Sequence, residues 1–256
     1  IATSVGHAPV SALIDAKAGS RNSIAEALSN IVWAPLSEGL KSISLSANWM
    51  WPCKNEGEDA RLFDAVKACS DFAIELGLNI PTGKDSLSMK QKYASEEVIA
   101  PGTVIISAAA HCDDIVKTVE PVLKREEAKI YYINLSSDKF KVGGSSFAQI
   151  CNAIGSETPT INDSAHFIRA FNTLQSLIKK ELIYAGHDIA SGGLITTLLE
   201  MCFAEYKLGA VIDLTPLDEQ DTIKLLFSEN AGVVFQADEK AETILKENDV
   251  AFHCIG

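Results

Sequence analysis

Segments with a helical apolar period and segments of strand character alternate along the whole chain, and that alternation predicts an α/β (α+β) fold of layered sheets and helices. Over residues 20–32 the apolar residues Ile24, Leu28, Ile31 and Val32 recur at i, i+4, i+7 and i+8, the spacing of one buried helix face. Residues 57–76 repeat the pattern with Leu62, Val66, Cys69, Ala73 and Leu76, and Gly77 supplies the stop. Phe167, Phe171, Leu174 and Ile178 do the same over residues 163–182. Between these lie strand-like runs at residues 41–50, 104–110, 129–135, 209–214 and 231–237, and the chain ends on VAFHCIG, which reads as a strand in mid-sheet. The apolar run 104–110 suits a strand covered on both faces.

A charged stretch holding Pro121 interrupts the alternation near residue 125, which divides the chain into domains 1–124 and 125–256. Ile1 stands where an initiator Met would, so the expectation is two α/β domains truncated at both ends. With 47% hydrophobic residues each domain can build its own core. A net charge of −12 argues against nucleic acid and anionic membranes as partners, so bound phosphate must meet local amides, lysines or metal ions. Six cysteines without a CxxC pair read as reduced, mostly buried thiols of a cytoplasmic protein, and no apolar run approaches the ~20 residues of a membrane span.

Three stretches carry possible chemistry. Glu26 and Asn30 are four apart on a predicted helix, so a carboxylate and an amide oxygen project from one side as hard ligands for Mg²⁺; a solvated polar face explains the same spacing. In AGHDIASGG, Asp188 ends a strand and Gly192-Gly193 open a helix, an arrangement that suits a metal-bridged phosphate or, equally, a tight capped turn. In PTGKDSLSM, read as a short strand entering a glycine loop, Lys84 and Asp85 are a phosphate-seeking charge and a polar ligand, although the spacing is not that of a P-loop. The Gly143-Gly144 loop is a further amide nest, or a plain loop. No nucleophile constellation stands out, and the histidines and Trp33, Trp49 and Trp51 read as structural.

Taken in order, AEALSN, SLSANWMWPCKNEGEDARLFDAVKA, NIPTGKDSLSM, VIAPGTVIISA, GGSSFAQ, GHDIASGGLITTLLEM and LFSENAGVVFQ resemble the second synthetase half of the large, glutamine-dependent phosphoribosylformylglycinamidine synthase family over about residues 2 to 250. The resemblance implies part of an ATP-consuming C–N ligase of purine biosynthesis, which converts formylglycinamide ribonucleotide to formylglycinamidine ribonucleotide with ammonia from a glutaminase domain. No counterpart of the glutaminase residues is present, so the isolated chain is expected to be inactive. It further implies two domains like those of aminoimidazole ribonucleotide synthetase, the first pairing into a central barrel with the other half. Partners are then the remaining domains of a longer polypeptide and a nucleotide, with self-association through exposed sheet edges.

By motif, the family's magnesium ligands fall on Glu26, Asn30 and Asp188, around an auxiliary ADP that is structural; the catalytic nucleotide belongs to the first half. Cofactors are therefore Mg²⁺ and ATP or ADP, with Lys84, Asp85, Gly143, Gly144, Ala190, Gly192 and Gly193 as candidate nucleotide contacts. Ala190 stands where the family has a serine, and a fourth acidic ligand lies upstream of Ile1 in the family pattern. The alternatives are a structural ADP/Mg²⁺ module without turnover, or another relative of aminoimidazole ribonucleotide synthetase such as selenophosphate synthetase or thiamine monophosphate kinase.

Overall fold

The computed structural model describes residues 1–124, 127–205 and 207–256. The expected boundary between residues 124 and 125 abuts residues 125 and 126, which lie outside the described residues. The first sheet joins β1 (Ala2–His7), β6 (Thr103–Ala110), β2 (Ser44–Met50) and β3 (Asn79–Ser86), in that order. β6 runs antiparallel to both neighbours, whereas β2 and β3 are parallel because α3 (Glu58–Leu76) crosses over between them. α1 (Pro9–Ile14) and α2 (Ala16–Ile31) follow β1, and a hairpin of β4 (Lys90–Lys92) and β5 (Glu97–Ile99) precedes β6.

The second sheet is antiparallel throughout, in the order β10 (His253–Cys254), β7 (Lys129–Asn134), β9 (Gly232–Ala237) and β8 (Ile183–Asp188). Both faces of β7 and β9 are buried. Tyr131, Ile133, Val233 and Phe235 belong to the core shared with α5 (Ser164–Lys179), while Ile130, Tyr132 and Val234 pack with Leu194, Leu198 and Met201 of α6 (Gly193–Phe203). α4 (Ser146–Ile150), α7 (Thr222–Phe227) and α8 (Lys240–Glu247) complete the chain.

One apolar core runs from α2 and α3 through α5 into the second sheet, with Phe72 and Phe167 meeting edge to face at 6.1 Å. A buried polar clasp reinforces the seam. The Gln175 side chain accepts from the Leu36 N–H at 2.7 Å and donates to the carbonyls of Val32 and Ala34, and Asn172 Oδ1 accepts from the Leu40 N–H at 3.1 Å.

Several sequence expectations need correction. PTGKDS is strand rather than glycine loop: β3 continues through Gly83 to Ser86, and a Cβ at Gly83 would meet the Ala47 carbonyl oxygen at 2.1 Å, so glycine permits strand contact there. Residues 209–214 form no strand; Asp213 N–H donates to the Ile255 carbonyl at 2.7 Å, while Val211 is exposed. The terminal strand sits at the edge of its sheet, not mid-sheet. On β6 the burial alternates, so one face is covered rather than both. Val66 is exposed, and the buried face of α3 is Ala65, Cys69, Phe72, Ala73 and Leu76. Of the cysteines, all free, Cys69 is buried and Cys151 and Cys254 are exposed.

Candidate functional site

β1 lies directly on α2. Gly6 permits this, since a Cβ there would meet the Ser23 carbonyl oxygen at 2.2 Å and the Ala27 nitrogen at 2.4 Å, and Ser4 Oγ donates to the Ala27 carbonyl at 2.6 Å. The contact leaves α2 buried almost all round and turns its Asn22–Glu26–Ser29 stripe toward the loops of the second sheet. Between them opens a cleft of ≈ 250 Å³. The first half contributes His7, Ser11, Asn22 and Glu26; the second contributes Gly143, Gly144, Ala190 and Glu229.

Glu26 Oε2 accepts the His7 N–H at 2.8 Å. Burial lifts the Glu26 carboxyl above the usual carboxylate range, the His7 hydrogen bond and charge oppose the rise, and the negative charges of Asp188 and Glu229 add to it. Across the cleft, Glu229 Oε1 accepts the Ser146 N–H at 2.8 Å and the Gly192 N–H at 2.7 Å. Asn22 Nδ2 donates to Ser11 Oγ at 3.1 Å and to the Pro159 carbonyl at 2.8 Å, and Ser11 Oγ is hydrogen bonded to Thr158 Oγ1, so the two halves meet through polar contacts at the rim. Among the described residues neither lysine nor arginine lines the cleft.

Of the residues singled out from sequence, Glu26, Gly143, Gly144 and Ala190 line the cleft. Asn30 sits one turn beyond Glu26 on α2, exposed and outside the lining. Asp188 ends β8 as expected but is buried beside His187, whose Nδ1 lies 3.5 Å from Asp188 Oδ1 and whose Nε2 lies 3.1 Å from Glu200 Oε2. Hydrogen bonding to Asp188 raises the His187 pKa. Gly192, with φ +92°, and Gly193 open α6 just behind the lining. Lys84 and Asp85 stand on β3, exposed and outside the cleft lining, with Lys84 Nζ donating to Ser86 Oγ at 2.8 Å. Among the described residues no group of three or more His, Cys, Asp and Glu side chains is gathered closely enough to hold a metal by itself. Sequence reasoning passed over Glu229 and Ser11; the available signal for Glu229 was its position between Ser228 and Asn230, three residues before the buried strand β9.

The chain is 39% identical to human phosphoribosylformylglycinamidine synthase over 99% of its own length and 19% of that protein, and 39% identical to the Saccharomyces cerevisiae enzyme over 98% and 19%. The chain is similar to phosphoribosylformylglycinamidine synthases over nearly its whole length. It spans about a fifth of the length of the curated relatives it matches. Residues 1–111 match the FGAR-AT PurM_N-like domain, and residues 140–256 match the C-terminal domain of AIR synthase related proteins.

Solved structures show the same fold at low identity. Thermotoga maritima PurL complexed with FGAR superposes with a TM-score of 0.71 at 11% identity, covering 99% of this chain and 41% of that one. Hydrogenase maturation protein HypE in complex with ATP gives 0.66 at 15%, covering 100% and 75%. No helix among the described residues is long and apolar enough to cross a membrane.

Proposed function

We propose that this chain is a synthetase half of phosphoribosylformylglycinamidine synthase and serves, within the whole enzyme, the ATP- and glutamine-dependent conversion of formylglycinamide ribonucleotide to formylglycinamidine ribonucleotide in de novo purine biosynthesis. The amide oxygen of the substrate leaves as phosphate and an amidine nitrogen takes its place, the ammonia arriving from a glutaminase domain outside this chain. The remaining domains of that polypeptide are its partners, the cytoplasm its compartment, and the chain by itself does not turn over. The observation that carries this reading is the extent of the likeness to enzymes of that name, which runs through both halves of the chain and across the cleft between them.

The cleft itself is assigned to a nucleotide, ATP or ADP, entering with Mg²⁺. Its walls fit that charge pattern: the Glu26 carboxyl is raised by burial and by Asp188 and Glu229, and among the described residues no lysine or arginine in the lining offsets them. A divalent cation relieves such crowding and supplies the positive charge that lets phosphate oxygens approach carboxylates. Glu26 in the lining would supply hard oxygens, with Asp188 at the end of β8 and the exposed Asn30 one turn along α2 outside that lining; the Gly143-Gly144 loop and Ala190 would border the phosphates, with the Gly192-Gly193 turn behind them. Lys84 and Asp85 on β3 are left to the surface that meets other domains. A structural nucleotide without turnover is the form of this reading favoured by Ala190, whose methyl group borders the cleft where a hydroxyl would donate to phosphate.

Binding to the folded state stabilises it by ~2.7 kcal/mol at a hundredfold excess over Kd and so raises its melting temperature. Melts with ADP and Mg²⁺ should therefore show a rise of roughly 5–10 °C for a chain of this size, lost in Glu26→Ala and in the absence of Mg²⁺. An unchanged melting temperature at saturating nucleotide would remove the nucleotide from this cleft.

A further inference from the structure

Glu229 lies in the cleft wall, and its carboxylate joins two loops distant in sequence. One oxygen, Oε1, accepts the first amide of α4, from Ser146, at 2.8 Å and the amide of Gly192, at the opening of α6, at 2.7 Å. We infer that Glu229 is a positioning residue, a carboxylate clamp that fixes the amide-bearing starts of α4 and α6 relative to each other and so shapes the cleft for a phosphorylated ligand. The inference deepens the nucleotide reading above and rests on it for the ligand, though not for the clamp.

The clamp is anchored on both sides along the chain. Phe227 stacks on Phe147 of α4 at 4.7 Å, two residues before Glu229. Immediately after it Asn230, 1% exposed, donates through Nδ2 to Ser136 Oγ and to the Lys139 carbonyl, both at 3.0 Å. With its neighbours held, the Glu229 side chain has little freedom to leave its two donors, and charge-assisted bonds of this kind are roughly twice as strong as neutral ones.

The loops that carry the donors are equally constrained. Gly192 sits at φ +92°, where a Cβ would meet Thr196 Oγ1 at 2.2 Å, and Gly144, at φ +80°, gives its N–H to the Ile154 carbonyl at 2.7 Å. Loops set this tightly present a fixed cleft rather than one assembled on binding. Glu26 makes the corresponding bond on the opposite wall, to the His7 N–H, so each wall carries one carboxylate engaged by backbone.

A clamp is a hydrogen-bonding role, and glutamine can fill it through its carbonyl oxygen. Three proteins distinguish it: the chain itself, Glu229→Gln and Glu229→Ala, each checked for fold by circular dichroism. Hydrogen exchange at the Ser146 and Gly192 amides tests the clamp without any ligand: both amides should be slow in the chain and in Glu229→Gln, and at least about tenfold faster in Glu229→Ala. Titration with ADP and Mg²⁺ should give Glu229→Gln an affinity within a few fold of the parent and Glu229→Ala a loss of about tenfold or more.

Protection unchanged in Glu229→Ala would overturn the clamp. Equal loss of ADP affinity in Glu229→Gln and Glu229→Ala would also overturn it, since the negative charge and not the hydrogen bonds would then be what the ligand needs. Absence of ADP binding in the parent chain, with the exchange pattern as expected, would refute the nucleotide reading and leave the clamp standing.

Discussion

Glu26 and Glu229 hold three backbone N–H groups between them, one at the end of β1 and two at helix starts, so the cleft's walls are set by carboxylates rather than by lysines. Charge at single residues also decides how the fold responds to acid. His166 is buried at the start of α5, and burial holds its ring below the usual histidine range against the opposing hydrogen bond to the Asn134 backbone. A histidine whose folded pKa is depressed stays neutral while the unfolded chain takes a proton, so stability is unaffected well above pH 6.5 and is lost as pH falls through that value toward the folded pKa. Thermal melts between pH 7.5 and 5.5 should show the parent losing stability faster than His166→Gln. Parallel slopes for the two proteins would show that His166 does not contribute.

At the scale of elements, α2 was the most legible part of the chain. Its apolar period over residues 20–32 is real helix, and Asp15 extends it by capping, accepting from the N–H groups of Lys17 and Ala18. What periodicity did not disclose was that β1 packs on α2 at Ser23 and Ala27, because that depends on Gly6 lacking a Cβ and on a partner strand more than a dozen residues away. The sequence reads the β3 segment as a short strand entering a glycine loop for a related reason: Gly83 signals a turn locally, whereas here it serves close strand approach. Gln175 on α5 is another contact that no local pattern reveals. Replacing it with Ala would leave the buried Leu36 amide and the Val32 and Ala34 carbonyls without their partner, at a cost of ~2–4 kcal/mol. Urea unfolding of Gln175→Ala measures this directly, and a change below about 0.5 kcal/mol would show that water replaces the amide.

For the molecule as a whole, the first sheet has two open edges among the described residues. β1 pairs only with β6, and β3 only with β2, with the residues of β3 largely exposed and Tyr93, Val98 and Ile99 of the neighbouring hairpin region exposed as well. Unpaired strand edges flanked by apolar surface recruit another chain. The isolated chain should therefore associate with itself, its scattering mass rising with concentration, and Lys in place of Val98 or Ile99 should reduce the effect. A monomeric mass throughout a dilution series of the parent would count against it.

Local physics accounts for what was legible in the sequence: the α/β class, the main helices, the strand end at Asp188 and the glycine start of α6, while seven ordered motifs carry the family resemblance. The sequence also singled out Glu26 as a candidate, although its spacing equally described a solvated polar face. Which candidates share a cleft was settled by packing in three dimensions. It turned Glu26 inward and left Asn30 exposed, put Lys84 and Asp85 on a sheet edge, and set Glu229 across two helix starts. Those outcomes depend on contacts between residues far apart in the chain, which local periodicity does not specify.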